Sequence, residues 1–334
     1  MASKDKIYLY PCIKIVRGAK KSALYDLQRC KIYSIPNSFL NILSNRCLDR
    51  DEAIKSYPNY VHIVNQYFDF LMDNELAMGA DVVKGCELED IDETYYSSSI
   101  ITHAILDYDK TMSYPLKLAI NELSSLHCEG IKIRFFDIMP IAFIIDTFEL
   151  FRNTTIRGVE YIIQFNENSH DYCKLSNAVE LYPRIQSIVI SNSKSEDKCI
   201  ETPLSKKIRF SNMQINTSDN CGNFHSSFLR PIQEFYFLSK NYNNCLYGLV
   251  SIDRNGNICN CPSLTLRFGK FPEVSIVEAI TYDKFYELWD IKKDQIDSCK
   301  DCALRYACQD CRAYIDLAKN KYAKPSKCNF NPYD

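Results

Sequence analysis

The first 80 residues alternate apolar and polar positions in two ways, one typical of strands and one of helices. Residues 7–16 and 22–35 are rich in β-branched and aromatic side chains, and the Arg17-Gly18-Ala19-Lys20 segment between them is a hairpin signal. Residues 38–43 predict a short helix after Asn37, and apolar residues recur at helical spacing over 60–72. We therefore predict three strands followed by helices, a winged-helix-like domain over residues 1–82.

The middle of the chain alternates strand and helix patterns. Strands are predicted over 100–108, 131–136, 159–165, 185–191 and 207–210, with helices over 116–126 and 140–151 between the earlier ones. Repeated βα units imply a parallel sheet, either open or a partial barrel. The predicted fold class is α/β, with a second domain over 95–215 and a third over 216–334. In the third, residues 282–289 have an amphipathic helix pattern that places Trp289 in a core.

Four cysteines within thirteen residues dominate the third region: Cys299, Cys302, Cys308 and Cys311, with Cys245, Cys261 and Cys328 around them. Thiolates this close together repel one another and oxidise unless a soft cation holds them, and C-x2-C spacing lets two sulfurs reach one metal. A disulfide framework is disfavoured because the chain lacks a short, secreted character. The pattern predicts metal binding, and the spacings also suit a tetrahedral zinc site.

Composition limits the possible partners. The chain has 334 residues, 46% of them hydrophobic, which is enough for two or three domains with real cores. A net charge of -2 without a basic block argues against nucleic acid. The start has no apolar signal region, and no stretch is long enough to span a membrane, so we expect a cytoplasmic protein. The other cysteines are then predicted to be small buried hydrophobic residues: Cys12, Cys30, Cys47, Cys86, Cys128, Cys173 and Cys199.

The cysteine order from Cys245 through Gly256 and Cys261 to Cys328 resembles the SPASM domain, a C-terminal module of radical SAM peptide-modifying enzymes that carries auxiliary iron-sulfur clusters. Ten residues between Cys245 and Gly256 fit that pattern. The spacing of Cys308 and Cys311 departs from it, since two residues stand where the pattern has three.

The resemblance implies two 4Fe-4S clusters. By position, one is held by Cys299, Cys302, Cys308 and Cys328, and the other by Cys245, Cys261 and Cys311. The second set is one ligand short. Cys221 is the preferred fourth ligand, Cys259 is the rival, and an open iron site is the third possibility.

The order of strands and helices, with residues 25–29 and 35–37 between the strands and the first helix, looks like the precursor-recognition domains of ribosomal peptide biosynthesis. In such domains a leader peptide adds as a strand beside the third strand and lies against the third helix, because an edge strand offers unpaired amides. The implied surface is formed by Lys31, Ile32, Tyr33, Tyr60, Val64, Tyr67 and Phe68. A plain winged helix used for packing is the alternative.

The middle region resembles the partial barrel of radical SAM enzymes without their motifs. Such an enzyme needs three cysteines in C-x3-C-x2-C spacing after the first barrel strand, but residues 107–115 contain none. Phe135-Phe136-Asp137 stands where a Gly-Gly-Glu type motif would receive the methionyl amine. We therefore predict a degenerate barrel that does not cleave S-adenosylmethionine.

The order of motifs over nearly the whole chain resembles the SPASM-domain peptide maturase of grasp-with-spasm systems. The matching segments are 26–29, 35–37, 133–136, 260–263, 300–306, 310–314 and 324–328. In those systems the maturase is encoded with a short precursor peptide and an ATP-grasp ligase. The resemblance implies either a maturation partner that binds the leader and assists the ligase, or an iron-sulfur redox enzyme that itself modifies the precursor.

Two groups of charged residues complete the candidates. Asp107, Asp109 and Asp137 fall near strand ends, where α/β folds place ligands. Arg305 and Arg312 flank the tight cysteine run and are candidates for offsetting thiolate charge.

Overall fold

The protein is a mixed α/β structure built around one large sheet. A computed structural model describes residues 6–43, 45–79, 88–111, 114–166, 172–194, 199–201, 207–221, 228–316 and 320–334. The strands are β1 (Lys6–Leu9), β2 (Ile13–Val16), β3 (Lys21–Asp26), β4 (Lys31–Pro36), β5 (Cys47–Asp49), β6 (Ala77–Gly79), β7 (His103–Tyr108), β8 (Gly130–Phe135), β9 (Gly158–Gln164), β10 (Ile185–Ser191), β11 (Cys199–Glu201), β12 (Lys207–Phe210), β13 (Leu249–Ile252) and β14 (Ile258–Cys259). The helices are α1 (Arg50–Ser56), α2 (Val61–Asp73), α3 (Leu116–Ser125), α4 (Ile141–Phe148), α5 (Tyr172–Leu181), α6 (Gln233–Asn241) and α7 (Ile276–Ala279).

The N-terminal strands form two small antiparallel sheets, β5-β1-β6 and β2-β3-β4. The single strand predicted over residues 7–16 is wrong, because the chain turns at Pro11 and the Ile13 N–H bonds back to the Tyr10 carbonyl at 2.9 Å. Proline has no N–H for a strand ladder and favours the second position of a turn. As a result β1 and β2 belong to different sheets.

The predicted helix over 60–72 is confirmed as α2, and residues 37–41 form a short 3-10 helix where a helix was expected. Val64, Phe68 and Leu71 lie on the buried face of α2. They share one core with apolar residues drawn only from 7–77, among them Ile35 and Phe39. This part of the chain therefore has a core of its own.

The large sheet has the order β11-β12-β10-β9-β8-β7-β13-β14. Its six inner strands run parallel, and β11 and β14 pair antiparallel with their neighbours. Parallel neighbours need a crossover, and α3, α4 and α5 supply it between β7, β8, β9 and β10. Ile133, Tyr161 and Ile188, side by side on three strands, are fully buried. The predicted parallel sheet is confirmed.

The chain returns to this sheet after α6. There β13 pairs with β7 on the side away from β8, and β14 extends the sheet by one strand. Cys259 ends β14, and Cys261 follows two residues later. One of the predicted metal-binding segments is therefore fixed to the edge of the large sheet.

One face of the β2-β3-β4 sheet packs against the cysteine-rich part of the chain. Tyr236 on α6 lies edge-on to Tyr25 and Tyr306, with ring centroids 5.4 and 5.1 Å apart. The Tyr25 hydroxyl donates to the Ala303 carbonyl at 2.8 Å. Glu93 bridges the buried Lys14, at 2.7 Å, and Lys240. The sheet therefore contacts its own helices on one face and residues around 303–307 on the other.

The described residues after β14 contain only α7 and short 3-10 turns. The helix predicted over 282–289 is wrong, since only a 3-10 turn forms at Asp283–Phe285. Aromatic packing determines the structure of this segment instead. Trp289 is buried, with its ring centroid 5.0 Å from that of Tyr247, and the ring centroids of Phe285 and Phe268 are 5.1 Å apart. No helix in the described part of the chain is long and apolar enough to cross a membrane.

Candidate functional site

Cys299, Cys302, Cys308 and Cys328, here called the first thiol set, lie close enough for their charges to interact. Burial raises the pKa of Cys299 to about 11; Cys328 and Cys308 add to that rise, and Lys293 opposes it. Burial is also the largest cause of the raised pKa of Cys302 and of Cys308, and Cys328 adds to both. The charge of Cys328 therefore acts on each of the other three cysteines that the resemblance assigned to this centre.

Lys293 is a buried lysine beside the first thiol set, with 4% of its surface exposed. Its Nζ donates to Cys308 Sγ at 3.3 Å and to the Gln309 carbonyl at 3.2 Å. Burial lowers the pKa of Lys293, but attraction by Cys308, Asp310 and Cys299 outweighs burial and raises it above its ordinary value. Sequence reasoning missed this residue, because a lysine is normally exposed and nothing in its local sequence distinguishes it.

Cys221, Cys245, Cys261 and Cys311, the second thiol set, form another such group. Burial raises the pKa of Cys261 to about 12; the Ser263 backbone N–H opposes this rise, and Cys221 and Cys311 add to it. Burial, then Cys261, Cys311 and Cys221, raise the pKa of Cys245 well above its ordinary value. Burial raises the pKa of Cys311 too, with Cys221 as a further cause. The charge of Cys221 therefore acts on all three of the other thiols.

Hydrogen bonds hold the turn that carries Cys221. The Ser218 carbonyl accepts from Ser263 Oγ at 3.0 Å and from the Tyr314 hydroxyl at 3.2 Å. Lys327 Nζ donates to the Cys221 carbonyl at 2.7 Å and lies 3.4 Å from the centre of the Tyr314 ring. Ser263, Tyr314 and Lys327 stand close in sequence to Cys261, Cys311 and Cys328, so four separate segments meet at this turn.

Cys259, the rival fourth ligand, is placed differently. It is fully buried on β14, and its Sγ donates to the Ser251 carbonyl at 3.7 Å. Burial raises its pKa well above the ordinary value; Arg267 opposes this rise, and Cys261 adds to it. Of the two candidates, Cys221 is the one whose charge acts on Cys245, Cys261 and Cys311 together.

Asn243 and Asn244, directly before Cys245, tie the two thiol sets together. Asn244 donates through Nδ2 to the Cys308 carbonyl at 3.0 Å and accepts the Asp310 N–H at 2.8 Å. Asn243 donates through Nδ2 to Asp310 Oδ2 at 2.7 Å. Sequence reasoning missed both asparagines, since an amide is not a ligand for a soft metal.

Arg305, which lies within the cysteine run, and Arg312, which directly follows it, both pair with carboxylates. Arg312 is fully buried and donates to Asp310 Oδ1 at 2.6 and 3.1 Å. Arg305 Nε pairs with Asp294 at 2.9 Å. The positive charges of both arginines are therefore neutralised by these neighbouring carboxylates.

The donor chemistry of both sets fits a soft metal or an iron-sulfur cluster. The cysteines whose side chains are described are free thiols. N–H groups point at the sulfurs: Leu304 N donates to Cys302 Sγ and Gln309 Nε2 to Cys245 Sγ, each at 3.4 Å. Such bonds stabilise thiolates and tune bound clusters. Within the described ranges, no group of three or more His, Cys, Asp or Glu side chains is close enough to hold a single metal ion.

A buried ion pair lies beside the second thiol set. Arg134 on β8 donates to both oxygens of Asp107 on β7, at 2.6 and 2.7 Å. Burial lowers the pKa of Arg134, but Asp107, and after it Cys221 and Cys261, raise it above its ordinary value. The other candidate carboxylates also have protein partners, since Asp109 pairs with Arg254 and Asp137 accepts the Lys110 N–H.

The residues predicted to bind peptide are placed unequally. Among the described strands β4 pairs only with β3, with Lys31 exposed and Ile32 and Tyr33 half-buried. Tyr60 is 57% exposed, and Tyr67 stacks on Phe39 with centroids 4.0 Å apart. Val64 and Phe68 face the core instead, at 1% and 0% exposure, because they occupy the apolar stripe of α2.

A groove of about 540 Å³ lies beside β4 on the opposite side from α2. The groove is lined by Ile32 and Ser34 of β4, by Asp301, Ala303 and Leu304, and by residues 329–332 and Asp334. Any strand added to β4 would therefore pass close to the turn that carries Cys302.

The remaining cysteines are mostly not the buried residues that were predicted. Cys128 is buried and Cys12 half-buried, but Cys30, Cys47 and Cys173 are exposed. These three lie in the turn between β3 and β4, on the short outer strand β5 and in the first turn of α5, which are all surface positions. Cys86 and the side chain of Cys199 fall outside the described residues.

No protein-family model matches the chain, and no curated protein matches it in sequence. Three solved structures of SuiB from Streptococcus suis are similar at low levels. SuiB alone has a TM-score of 0.34 and 8% identity over 97% of this chain, and SuiB bound to S-adenosylmethionine has 0.34 and 10% over 97%. SuiB bound to precursor peptide SuiA has a TM-score of 0.31 and 10% identity over 99% of this chain. In all three comparisons the whole SuiB chain is covered. A similarity of this size assigns neither a fold nor a function to this protein.

Proposed function

We propose that this protein is a maturation factor for a ribosomally synthesised peptide. In this proposal it binds the precursor's leader, assists an ATP-grasp ligase and carries two 4Fe-4S clusters in its cysteine-rich part. The observation that supports it is that the thiol charges act on one another within two groups of four, with Cys221 in the group that the resemblance left one ligand short. Four thiolates per centre is the ligand number of such clusters.

The proposed organisation has three parts: a winged-helix-like precursor-recognition domain over 1–82, a degenerate radical SAM-like partial barrel over 95–215 and a SPASM-like domain over 216–334. The separate core of residues 7–77 and the order of strands β7 to β10 support the first two. Residue 82 lies outside the described residues. The proposed location is the reducing cytoplasm, where free thiols persist.

Binding of the leader would use the edge of β4 that pairs with no other strand of the described residues. Main-chain bonds to an edge strand supply affinity without regard to sequence, and neighbouring side chains select the peptide. The candidates are Lys31, Ile32 and Tyr33 on the strand and Tyr60 and Tyr67 at the helix. Val64 and Phe68 would contribute by holding α2 against the sheet rather than by touching peptide.

The proposed centres would be held by the first and second thiol sets. Bound metal would cross-link the loops after Cys245, a region whose described residues have little regular structure, and metal-binding energy then becomes folding energy. The protein's own N–H groups and Lys293 orient the sulfurs. Cleavage of S-adenosylmethionine is not part of the proposal, since residues 107–115 contain no cysteine.

The alternative function is an iron-sulfur redox enzyme that modifies the precursor itself. It is favoured by one observation, the position of the second thiol set beside the Asp107–Arg134 pair on the large sheet. Ligands of open α/β sheets bind at the strand ends. An enzyme of this kind changes the precursor's mass without the ligase, whereas a partner only raises the ligase's yield.

Metal analysis tests the proposal. Protein purified and reconstituted without oxygen should contain about eight irons and eight sulfides per chain, the content of two cubane clusters. Replacing both Cys299 and Cys302 by Ala should remove about half of the iron, because two ligands of one centre are lost. The matched control replaces the exposed Cys30 and Cys47 by Ala and should leave the iron content unchanged.

Two outcomes contradict the iron-sulfur assignment. One or two zinc ions with no iron would indicate structural zinc centres in a recognition protein. Unchanged metal content in the Cys299→Ala, Cys302→Ala variant would remove the first thiol set from metal binding altogether.

A further inference from the structure

We propose that Lys293 is the charge-compensating residue of the first thiol set. Its ammonium group, fixed against Cys308 Sγ, offsets the negative charge of metal-bound thiolates and thereby sets the metal affinity and reduction potential of that centre alone. The inference rests on the proposed metal centre at Cys299, Cys302, Cys308 and Cys328. In this proposal Lys293 acts through Cys308, the thiol that it contacts.

The burial of Lys293 requires a negative partner. With 4% of its surface exposed, its ammonium group has lost most of its hydration, which is costly unless an opposite charge replaces it. Its Nζ contacts Cys308 Sγ and the Gln309 carbonyl, and no carboxylate of the described residues lies within ion-pair distance. The nearby Asp310 is already paired with Arg312. A neutral thiol compensates a cation poorly, whereas a metal-bound thiolate compensates it well.

The compensation is local to one centre. Lys293 acts on the charges of Cys299, Cys302 and Cys308, which all belong to the first set. Two cations lie beside the second set: Arg134 is neutralised by Asp107 through two hydrogen bonds, and Lys327, which donates to the Cys221 carbonyl, is partly exposed. The two centres therefore differ in their buried net charge, although each has four cysteines.

The sign of the effect follows from the charge of the centre. Four thiolates outweigh the charge of a dipositive zinc ion or of an oxidised four-iron core, so either centre is anionic. A neighbouring cation stabilises an anionic centre, and stabilises it more once the cluster has accepted an electron. Lys293 should therefore slow metal loss and raise the reduction potential.

The test compares Lys293→Met, which keeps an unbranched side chain one atom shorter and removes the charge, with Lys293→Arg, which keeps the charge. The full chain is reconstituted with iron and sulfide without oxygen. Potentiometric titration and the rate of iron loss to a chelator are then measured. In Lys293→Met, one centre should shift about tenfold towards its oxidised form, about 59 mV for one electron, and lose iron about tenfold faster. The other centre serves as an internal reference and should not change.

Two controls separate charge from packing. Lys293→Arg should keep most of the wild-type potential. Lys300→Met, which removes an exposed lysine directly after Cys299, should leave both centres unchanged.

Wild-type potentials and iron loss in Lys293→Met would overturn the inference. The inference would also be overturned if Lys293→Arg lost the centre as completely as Lys293→Met, because the positive charge would then not be the property that matters. A wild-type protein that takes up no metal would reject the proposed function instead, before any variant is compared. If the wild type takes up zinc alone, the variants are compared by competition for Zn²⁺, and equal affinity in Lys293→Met overturns the inference.

Discussion

Individual buried polar side chains hold the cysteines in place. Asp310 and Arg312 are both fully buried and pair with each other, and Asn243 and Asn244 bond to the same Asp310. Breaking a buried pair by removing one partner typically costs about 3–5 kcal/mol, because the other charge is left without compensation. This network positions Cys245, Cys308 and Cys311 relative to one another through protein groups alone.

The buried thiol of Cys128, which belongs to neither thiol set, should make the stability of the fold depend on pH. Its pKa is raised by burial to about 12. Below the ordinary value near 9 the thiol is protonated in both the folded and the unfolded chain. Between about 9 and 12 the unfolded chain ionises and the folded chain does not, so stability is lost as pH rises. The free-energy difference between wild type and Cys128→Ala should change by roughly 2 kcal/mol from pH 8 to about pH 10.5.

Urea unfolding of the metal-free, reduced protein at both pH values measures this change. The exposed Cys173→Ala is the control and should follow the wild type. The same pH profile in Cys128→Ala as in the wild type would show that the thiol ionises as easily folded as unfolded.

The sequence predicts the candidate cysteines better than their surroundings. The resemblance to the SPASM domain suggested both sets, although the cysteines of the second set are spread from Cys221 to Cys311. Lys293 could not be found this way, since its contact with Cys308 is a tertiary one across 15 residues and a lysine carries no burial signal. The proposed preference for Cys221 over Cys259 draws on tertiary structure, because Ser263 and Tyr314 hold the 218–221 turn through the Ser218 carbonyl.

At the element scale, β4 has two different faces. Tyr33 packs edge-on against Phe70 of α2, with centroids 5.7 Å apart. Ile32, the preceding residue, packs in the cluster that contains Tyr25 and Tyr306. Side chains alternate along a strand, so a peptide strand beside β4 would meet α2 on one face and the Cys302 turn on the other.

Proline substitutions test the use of this edge. Neighbouring N–H groups in a strand point to opposite edges, and proline has no N–H. One of the two variants Ile32→Pro and Tyr33→Pro therefore loses a hydrogen bond to β3. The other loses an N–H donor at the open edge of β4. The open-edge variant should keep its thermal stability and lose leader affinity at least about tenfold. The other should mainly lose stability. Anisotropy of a labelled leader peptide together with thermal unfolding separates the two, and full affinity in both folded variants would place the leader elsewhere.

The periodicity of the sequence predicted the long elements and failed at the short ones. The strands β7 to β10 and helix α2 were predictable because their apolar positions repeat over six or more residues. The split between β1 and β2 was not, since Pro11 interrupts an otherwise continuous apolar run. The 282–289 segment failed for a related reason: a short helix is marginal by itself, and tertiary aromatic contacts override its pattern.

At the scale of the whole molecule, the N-terminal hairpin contacts the Cys302 turn directly. Ala19 N donates to the Asp301 carbonyl at 2.8 Å, and Arg305 Nη1 donates to the Arg17 carbonyl at 2.7 Å. Tyr25 and Ala303, which also bond, are 278 residues apart in the chain. No pattern along a sequence predicts such a contact, so the proposed peptide-binding and metal-binding parts were inferred separately although they touch.

These contacts predict that metal and leader peptide assist each other's binding. Metal at the first thiol set should order residues 301–305, which support β3 and line the groove beside β4. Coupling between sites is reciprocal and typically 5–150-fold. We expect chelation to weaken leader binding about tenfold, and leader to slow metal loss by a similar factor.

Tyr25→Phe, which removes only the hydroxyl bonded to Ala303, should reduce both effects, whereas Tyr60→Phe at the exposed helix end should leave the coupling intact. Leader dissociation constants for metal-loaded and chelated protein measure it, and equal constants would mean that the two parts bind independently.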